Sequence, residues 1–231
     1  MTSDLFRPQF TPQIQKVINR LYVETIELDP SSHERASANG LNNENNSGFY
    51  EAMINARLPV TPEFGNLLYI MARSSGARNI IEFGTSFGVS TIYLAAAIND
   101  NGGGKIITTE LFAAKAEKAR ANLIEAGLSD YVEIRIGDAL QSLKDIGTAP
   151  IDLILLDAVK SLYYDVLQVL EPYLRKGGLV ISDRASLDEE LGAHAEKYLE
   201  YISNPENGYR LSSICTQAIG QTFPHDIAIR Y

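Results

Sequence analysis

Apolar and polar positions follow two rhythms along this chain. Over residues 11–28, after Pro12, the apolar residues Ile14, Val17, Ile18, Leu21 and Ile26 recur at the three-and-four spacing that lines one face of a helix, and Pro30 closes the segment. Residues 36–48, ASANGLNNENNSG, have no apolar period and concentrate Asn, Gly and Ser, so they read as a loop. A polar loop of this length is either a surface connector or a lid over a site. From residue 58 the rhythm changes to short apolar runs, each followed by a helical stretch. Strands are predicted at 80–83, 105–109, 132–136, 151–156 and 179–182, with helices near 62–74, 89–98, 111–126 and 161–175. Gly127 stands where a helix C-cap glycine belongs, and Pro172 predicts a break in the last of those helices. A further helix is predicted at 187–203, and strand-like segments at 209–216 and 225–231 then predict an antiparallel hairpin at the sheet edge.

Strands alternating with helices predict an α/β domain on a mostly parallel sheet with helices on both faces. The expected organisation is a helical extension with the Asn-rich loop over 1–57, a candidate lid, and one domain over 58–231. The length of 231 residues suits one such domain with a well-buried core.

Composition narrows the function without naming it. A net charge of −9 and an isoelectric point near 4.9 oppose broad attraction to nucleic acid or anionic lipid. The one cysteine, Cys215, rules out an intrachain disulfide framework and a multi-cysteine metal site, and is expected to be a small buried apolar residue. The opening MTSDLFRPQF carries an early Asp and no sustained apolar stretch, unlike a secretory signal. Runs such as IDLILL are too short to span a membrane, so the expected location is the cytoplasm.

The candidate chemistry begins at 82–90, EFGTSFGVS, on the predicted turn from the first strand into a helix. Its Gly84-x-Ser86-x-Gly88 matches a hydrolase nucleophile elbow, and a triad of Ser86, Asp157 or Asp183, and His225 has a workable chain order. An elbow, however, needs an oxyanion loop from an earlier strand, and the residues before Ile80 read as helix and loop. The dinucleotide pattern G-x-G-x-x-G fails at Ser86, and no phosphate loop with Gly-Lys-Ser/Thr is present. Glu82 at the strand end would repel a pyrophosphate and attract a cation. That points to a ligand with an amino or sulfonium group and with hydroxyls farther along, which describes S-adenosylmethionine. Glu110 ends the second strand, where a carboxylate can accept from both ribose hydroxyls. Asp138 and Ala139 end the third, near the expected adenine, and Ser90 can help the helix N-terminus hold a carboxylate.

These residues resemble the class I S-adenosylmethionine-dependent O-methyltransferases, in particular the small-molecule group of caffeoyl-CoA and catechol O-methyltransferases. The likeness runs from about Leu58 to Arg184 and rests on VTPEFGNLLY, IIEFGTSFGVSTIYLA, ITTE, GDAL, IDLILLDAVKSLYYDVL and LRKGGLVISD. The resemblance implies a Rossmann-like fold with a seven-stranded, mostly parallel sheet whose last strand is antiparallel, often in a homodimer. It also implies that Thr61, Glu82, Gly84, Thr85, Ser90, Glu110 and Ala139 line the cofactor, with Asp157 between cofactor and a small hydroxylated, catechol-like acceptor.

Metal-dependent relatives end the fourth strand in an aspartate with a lysine three residues on, and the fifth in Asp-Asn; the two aspartates and the asparagine hold a divalent cation. This chain keeps Asp157, Lys160 and Asp183, has Val159 where plant-type relatives carry a second aspartate, and has Arg184 in place of the asparagine. An arginine offers no lone pair to magnesium or calcium. Arg184 therefore either supplies fixed positive charge beside Asp157 and Asp183, steadying an oxyanion or an acidic substrate, or makes a salt bridge only. Lys160 as general base needs a cation close by to lower its pKa. Tyr163, Tyr164, Phe49 and Tyr50 are candidate walls of an aromatic pocket, His33 a candidate lid-borne base, and His194 a solvated helix residue.

Overall fold

The structure is a computed structural model and describes residues 10–28, 59–184, 195–218 and 221–231. In chain order the main elements are α1 (Pro12–Leu28), α2 (Pro62–Ser74), β1 (Asn79–Phe83), α3 (Val89–Asp100), β2 (Lys105–Glu110), α4 (Ala113–Ala126), β3 (Val132–Ile136), α5 (Ala139–Ser142), β4 (Ile151–Leu156), α6 (Tyr163–Leu170), β5 (Leu174–Asp183), α7 (Glu196–Ser203), β6 (Tyr209–Ala218) and β7 (Gln221–Arg230).

The strands form a seven-stranded sheet in the order β3-β2-β1-β4-β5-β7-β6. Pairs among β1 to β5 are parallel, and β7 runs antiparallel to β5 and to β6. The terminal hairpin is present, with its second strand inserted against β5, so β6 is the outer strand. Side chains alternate across the pleat. Ile80, Ile106, Leu153, Leu155 and Ile181 pack on one face with α1 to α4, while Ile81, Ile107, Ile154, Leu156 and Val180 pack on the other with α6 and α7. Ile14, Val17, Ile18 and Leu21 of α1 belong to the first of these clusters.

Three expectations shift. The helix expected over 161–175 stops at Leu170 and passes through a 3-10 turn at Glu171–Tyr173, because Pro172 has no N–H to continue it. β5 starts at Leu174, earlier than its apolar signal, with an irregularity that admits Arg175–Gly178 between the Ile151/Leu174 and Leu153/Leu179 pairs. Cys215 is exposed, not buried: on the outer strand β6 it points away from the layer that its neighbour Thr216 enters. The Asn-rich loop with its proposed lid, His33, Phe49, Tyr50 and His194 all lie outside the described residues.

Candidate active site

The carboxyl ends of β1, β2, β4 and β5 come together at one edge, and the turn from β1 into α3 is its centre. Gly84 has φ +112°, and a Cβ there would stand 2.0 Å from the Asp157 carbonyl oxygen, so only glycine lets β1 and β4 end this close. The amides of Gly84 and Thr85 donate to the Thr109 carbonyl at 3.3 and 2.9 Å. Thr85 Oγ1 donates to the same carbonyl at 2.9 Å and lies 2.6 Å from Thr108 Oγ1. Ser86 is the one non-glycine among the described residues with positive φ, +48°. Its amide donates to Glu110 Oε2 at 2.9 Å, and Glu110 Oε1 accepts from the Phe112 amide at 3.0 Å. The turn is thus laced to the end of β2, and Glu110 faces it with lone pairs to spare on both oxygens. Ser86 Oγ is enclosed without a hydrogen-bond partner among the described residues.

Glu82 lies beneath the turn, fully buried. Ser90 Oγ and Thr91 Oγ1 each donate to one of its oxygens at 2.6 Å. Burial raises its pKa, and those hydroxyls together with Thr108 oppose the rise. Ser90, expected to greet a ligand carboxylate, is therefore engaged with Glu82, and the first turn of α3 is pinned to β1. Asp138 caps α5 by accepting from the Leu140 amide at 2.9 Å, beside the buried Ala139. Thr61 caps α2, accepting from the Phe64 amide at 3.1 Å.

At the ends of β4 and β5 stands an acid pair. Asp157 is held well above the usual carboxylate range, first by its enclosure, then by the Asp183 carboxylate, with Lys160 pulling the other way. Lys160 Nζ lies 5.6 Å from the Tyr163 ring centroid and 3.4 Å from the Ala158 carbonyl oxygen. Tyr163 is fully buried and donates its hydroxyl to the Asp183 carbonyl at 2.8 Å, so it is core rather than pocket wall. The Tyr164 ring packs edge-on against Tyr201 under Lys197.

Register decides what surrounds Asp183. β5 pairs with β7 so that Asp183 faces His225 and Ser182 faces Asp226. Because the pleat sends neighbours to opposite faces, Asp183 and Arg184 part company. Asp183 Oδ1 lies 2.9 Å from His225 Nδ1. Arg184 Nε lies 2.5 Å from Oδ2 of the fully buried Asp226, and its Nη2 donates to Ser213 at 3.3 Å. Of the two alternatives for Arg184, fixed charge beside Asp157 and Asp183 or a salt bridge only, its contacts to Asp226 and Ser213 are those of the salt bridge. The hydrolase triad fails as well: Asp183 does stand by Nδ1 of His225, but Nε2 lies 2.8 Å from Thr216 Oγ1 and Ser86 Oγ has no hydrogen bond to the ring. Thr216, Asp226 and Thr91 were not singled out as parts of this edge from sequence, and His225 was named only as the histidine of the hydrolase triad. The i+8 and i+9 hydroxyls after Glu82 were a readable signal for Thr91, whereas the other three arrive only through the order of β5, β7 and β6.

S-adenosylmethionine fits what is built here: a glycine held open against β4, an enclosed unpartnered Ser86 hydroxyl, and a Glu110 carboxylate with lone pairs to offer. A divalent cation does not fit in the three-oxygen manner of the resembled enzymes. The third ligand position holds a guanidinium committed to Asp226, one oxygen of Asp183 lies against an imidazole, and no group of three or more acidic, His or Cys side chains forms a metal cluster among the described residues.

The sheet order, the glycine turn and the acidic edge define the class I methyltransferase architecture. A family profile described as "Methyltransferase domain" matches residues 81–184, the span that carries this edge. The catechol O-methyltransferase of Niastella koreensis is 37% identical over 134 residues, 57% of this chain and 60% of that protein. The catechol O-methyltransferase of Mycobacterium tuberculosis is 35% identical over 127 residues, 55% and 57% of the two chains. The matches thus span less than two thirds of these relatives' length. A solved O-methyltransferase from Bacillus cereus in complex with SAH superposes with a TM-score of 0.69 at 27% identity, over 94% of this chain and all of that one. Over residues 81–184 the chain carries a methyltransferase domain, and in sequence and fold it is similar to S-adenosylmethionine-dependent O-methyltransferases.

Proposed function

We propose that this protein transfers the methyl group of S-adenosylmethionine to a hydroxyl of a small, catechol-like acceptor. The observation that carries the reading is the acidic edge at Glu110 and Asp157 on either side of a turn that admits only glycine at position 84. The likeness to two catechol O-methyltransferases supports the acceptor class. When bound, the cofactor supplies an electrophilic methyl on a sulfonium. Glu110 would accept from the ribose hydroxyls, the Ser86 hydroxyl would find a partner on the ligand, Thr61, Asp138 and Ala139 would complete the cleft around it, and Glu82, held by Ser90, would contribute negative charge from below. Asp157 would face the acceptor hydroxyl and take its proton, since enclosure and Asp183 make its carboxylate more basic than an ordinary one. Lys160 balances the charge on that side. Alignment of oxygen, methyl and sulfur supplies most of the acceleration.

A homodimer and a cytoplasmic location complete the proposal, on the family resemblance and on the single cysteine; no helix among the described residues is long and apolar enough to cross a membrane. The experiment is calorimetric titration with S-adenosylhomocysteine, with and without magnesium, followed by turnover with catechol. Binding that ignores magnesium, with methylated catechol formed, is expected; absence of S-adenosylhomocysteine binding would sink the reading.

A further inference from the structure

The buried histidine on β7 is absorbed by none of this chemistry, and its surroundings are specific. His225 is 1% exposed and stacks on Phe64 of α2, ring centroids 3.7 Å apart and planes within 6°. On one side its Nδ1 stands 2.9 Å from Asp183 Oδ1, approaching obliquely. On the other its Nε2 stands 2.8 Å from Thr216 Oγ1, which accepts from Thr61 Oγ1 at 3.3 Å, while Thr61 accepts from the Phe64 amide. With the Asp183 carboxylate facing Nδ1, we assign the proton of a neutral ring to that nitrogen. The Thr61 hydroxyl donates to Thr216, the Thr216 hydroxyl then donates to Nε2, and the Nδ1 proton lies on the Asp183 side without a well-aligned hydrogen bond. An apolar residue at position 225 would fill the space but leave the Thr216 hydroxyl and one Asp183 oxygen without these partners.

Asp157 and Asp183 directly follow the paired residues Leu156 and Ser182 on neighbouring parallel strands, and Asp183 is the carboxylate that does most to raise the pKa of Asp157. Whatever fixes Asp183 therefore fixes the orientation and charge of the acceptor-side pair. We propose that His225 is a positioning residue for methyl transfer: through Nδ1–H it holds Asp183 against Asp157, and through Thr216 it ties that pair to Thr61 at the start of α2. The inference rests on the methyltransferase reading, because Asp157 must be on the acceptor side for its orientation to matter.

Two substitutions separate positioning from packing. His225→Asn keeps a nitrogen near the place of Nδ1 and loses the reach to Thr216; His225→Gln keeps the reach to Thr216 and loses Asp183. Both lose the stack on Phe64 and comparable core volume. With catechol as acceptor, His225→Gln should lower kcat by about tenfold or more, in the range of lost outer-shell contacts, while His225→Asn stays within about threefold of the parent by the same reasoning. KM for the donor and S-adenosylhomocysteine affinity should not move in either. Equal losses in the two variants would reduce His225 to a core residue and overturn the proposal. A second measurement needs no turnover: nitrogen-15 spectra of the imidazole in the unsubstituted protein should show the neutral Nδ1–H tautomer, and Thr216→Val should disturb it. An Nε2–H tautomer would overturn the proposal by itself. Loss of S-adenosylhomocysteine binding in the unsubstituted protein would instead sink the methyltransferase reading, leaving the tautomer to decide the geometry.

Discussion

Arg184 Nε lies 2.5 Å from Oδ2 of Asp226, whose side chain is 1% exposed, so a residue at the edge of the candidate site serves first as the counter-charge of a buried carboxylate. Removing one partner of a buried pair costs about 3–5 kcal/mol, and the 26% exposure of Arg184 places its loss toward the lower end. Arg184→Asn is expected to lower the urea midpoint markedly, and Arg184→Asn combined with Asp226→Asn to recover much of it. Additive losses in the double variant would show that the two side chains do not depend on each other.

The same pair bears on metal chemistry. With Arg184 and Asp226 both replaced by asparagine, the guanidinium next to Asp183 in sequence gives way to an amide oxygen and the buried charge that held it is gone. Manganese binding, followed by electron paramagnetic resonance, should be tighter in that double variant than in the unsubstituted protein. Equal affinity in the two would count against the role given to the guanidinium.

Gly84 and Gly147 make a controlled comparison, since both have positive φ but only Gly84 is crowded. A Cβ at 84 meets the Asp157 carbonyl at 2.0 Å, whereas nothing lies within 4 Å of one at 147. Gly147→Ala should cost about 1 kcal/mol of backbone strain, and Gly84→Ala more than that together with loss of S-adenosylhomocysteine binding. Thermal melting and calorimetry check the pair. A Gly84→Ala protein that binds normally would show that the turn is not where the cofactor rests.

Glu110 holds the amides of Ser86 and Phe112 and, on the proposal, the ribose. Glu110→Gln keeps one acceptor oxygen and removes the charge. Hydrogen bonds to charged groups contribute about 1.5–3 kcal/mol, so S-adenosylhomocysteine affinity should fall by about one to two orders of magnitude. Unchanged affinity in calorimetry would place the ribose elsewhere.

The pH dependence follows from Asp157. Its folded pKa is raised, by enclosure first and by Asp183 second, so the folded state holds the proton more tightly than the unfolded chain does. The associated stability is complete below the ordinary aspartate value of about 4 and is lost as pH rises through the folded value. Asp157→Asn imitates the protonated form at every pH. In chelator-treated buffer it should be more stable than the unsubstituted protein at pH 8, with the gap closing near pH 4. A gap that is the same at both pH values would contradict the assignment.

Some parts of the molecule were readable in one dimension because they depend on local period. The parallel strands show as apolar runs whose neighbours serve opposite faces, as Ile80 and Ile81 do, and Gly127 ends α4 with φ +72° as its position suggests. The glycine turn was readable too, since Gly84 and Gly88 are residue types that positive φ demands. The start of β5 was not, because Arg-Lys-Gly-Gly has no apolar signature and is carried by pairing to β4.

The candidate site divides along the same line. Sequence alone determined an α/β domain with acidic residues at strand ends around a glycine turn, because chain period and residue chemistry act over a few neighbouring positions. Tertiary structure decided which of those residues face one another. β7 slips between β5 and β6, and its register sets His225 beside Asp183 and Asp226 beside Arg184. One step along a pleated strand reverses the face, so two adjacent residues of similar promise, Asp183 and Arg184, end in different environments.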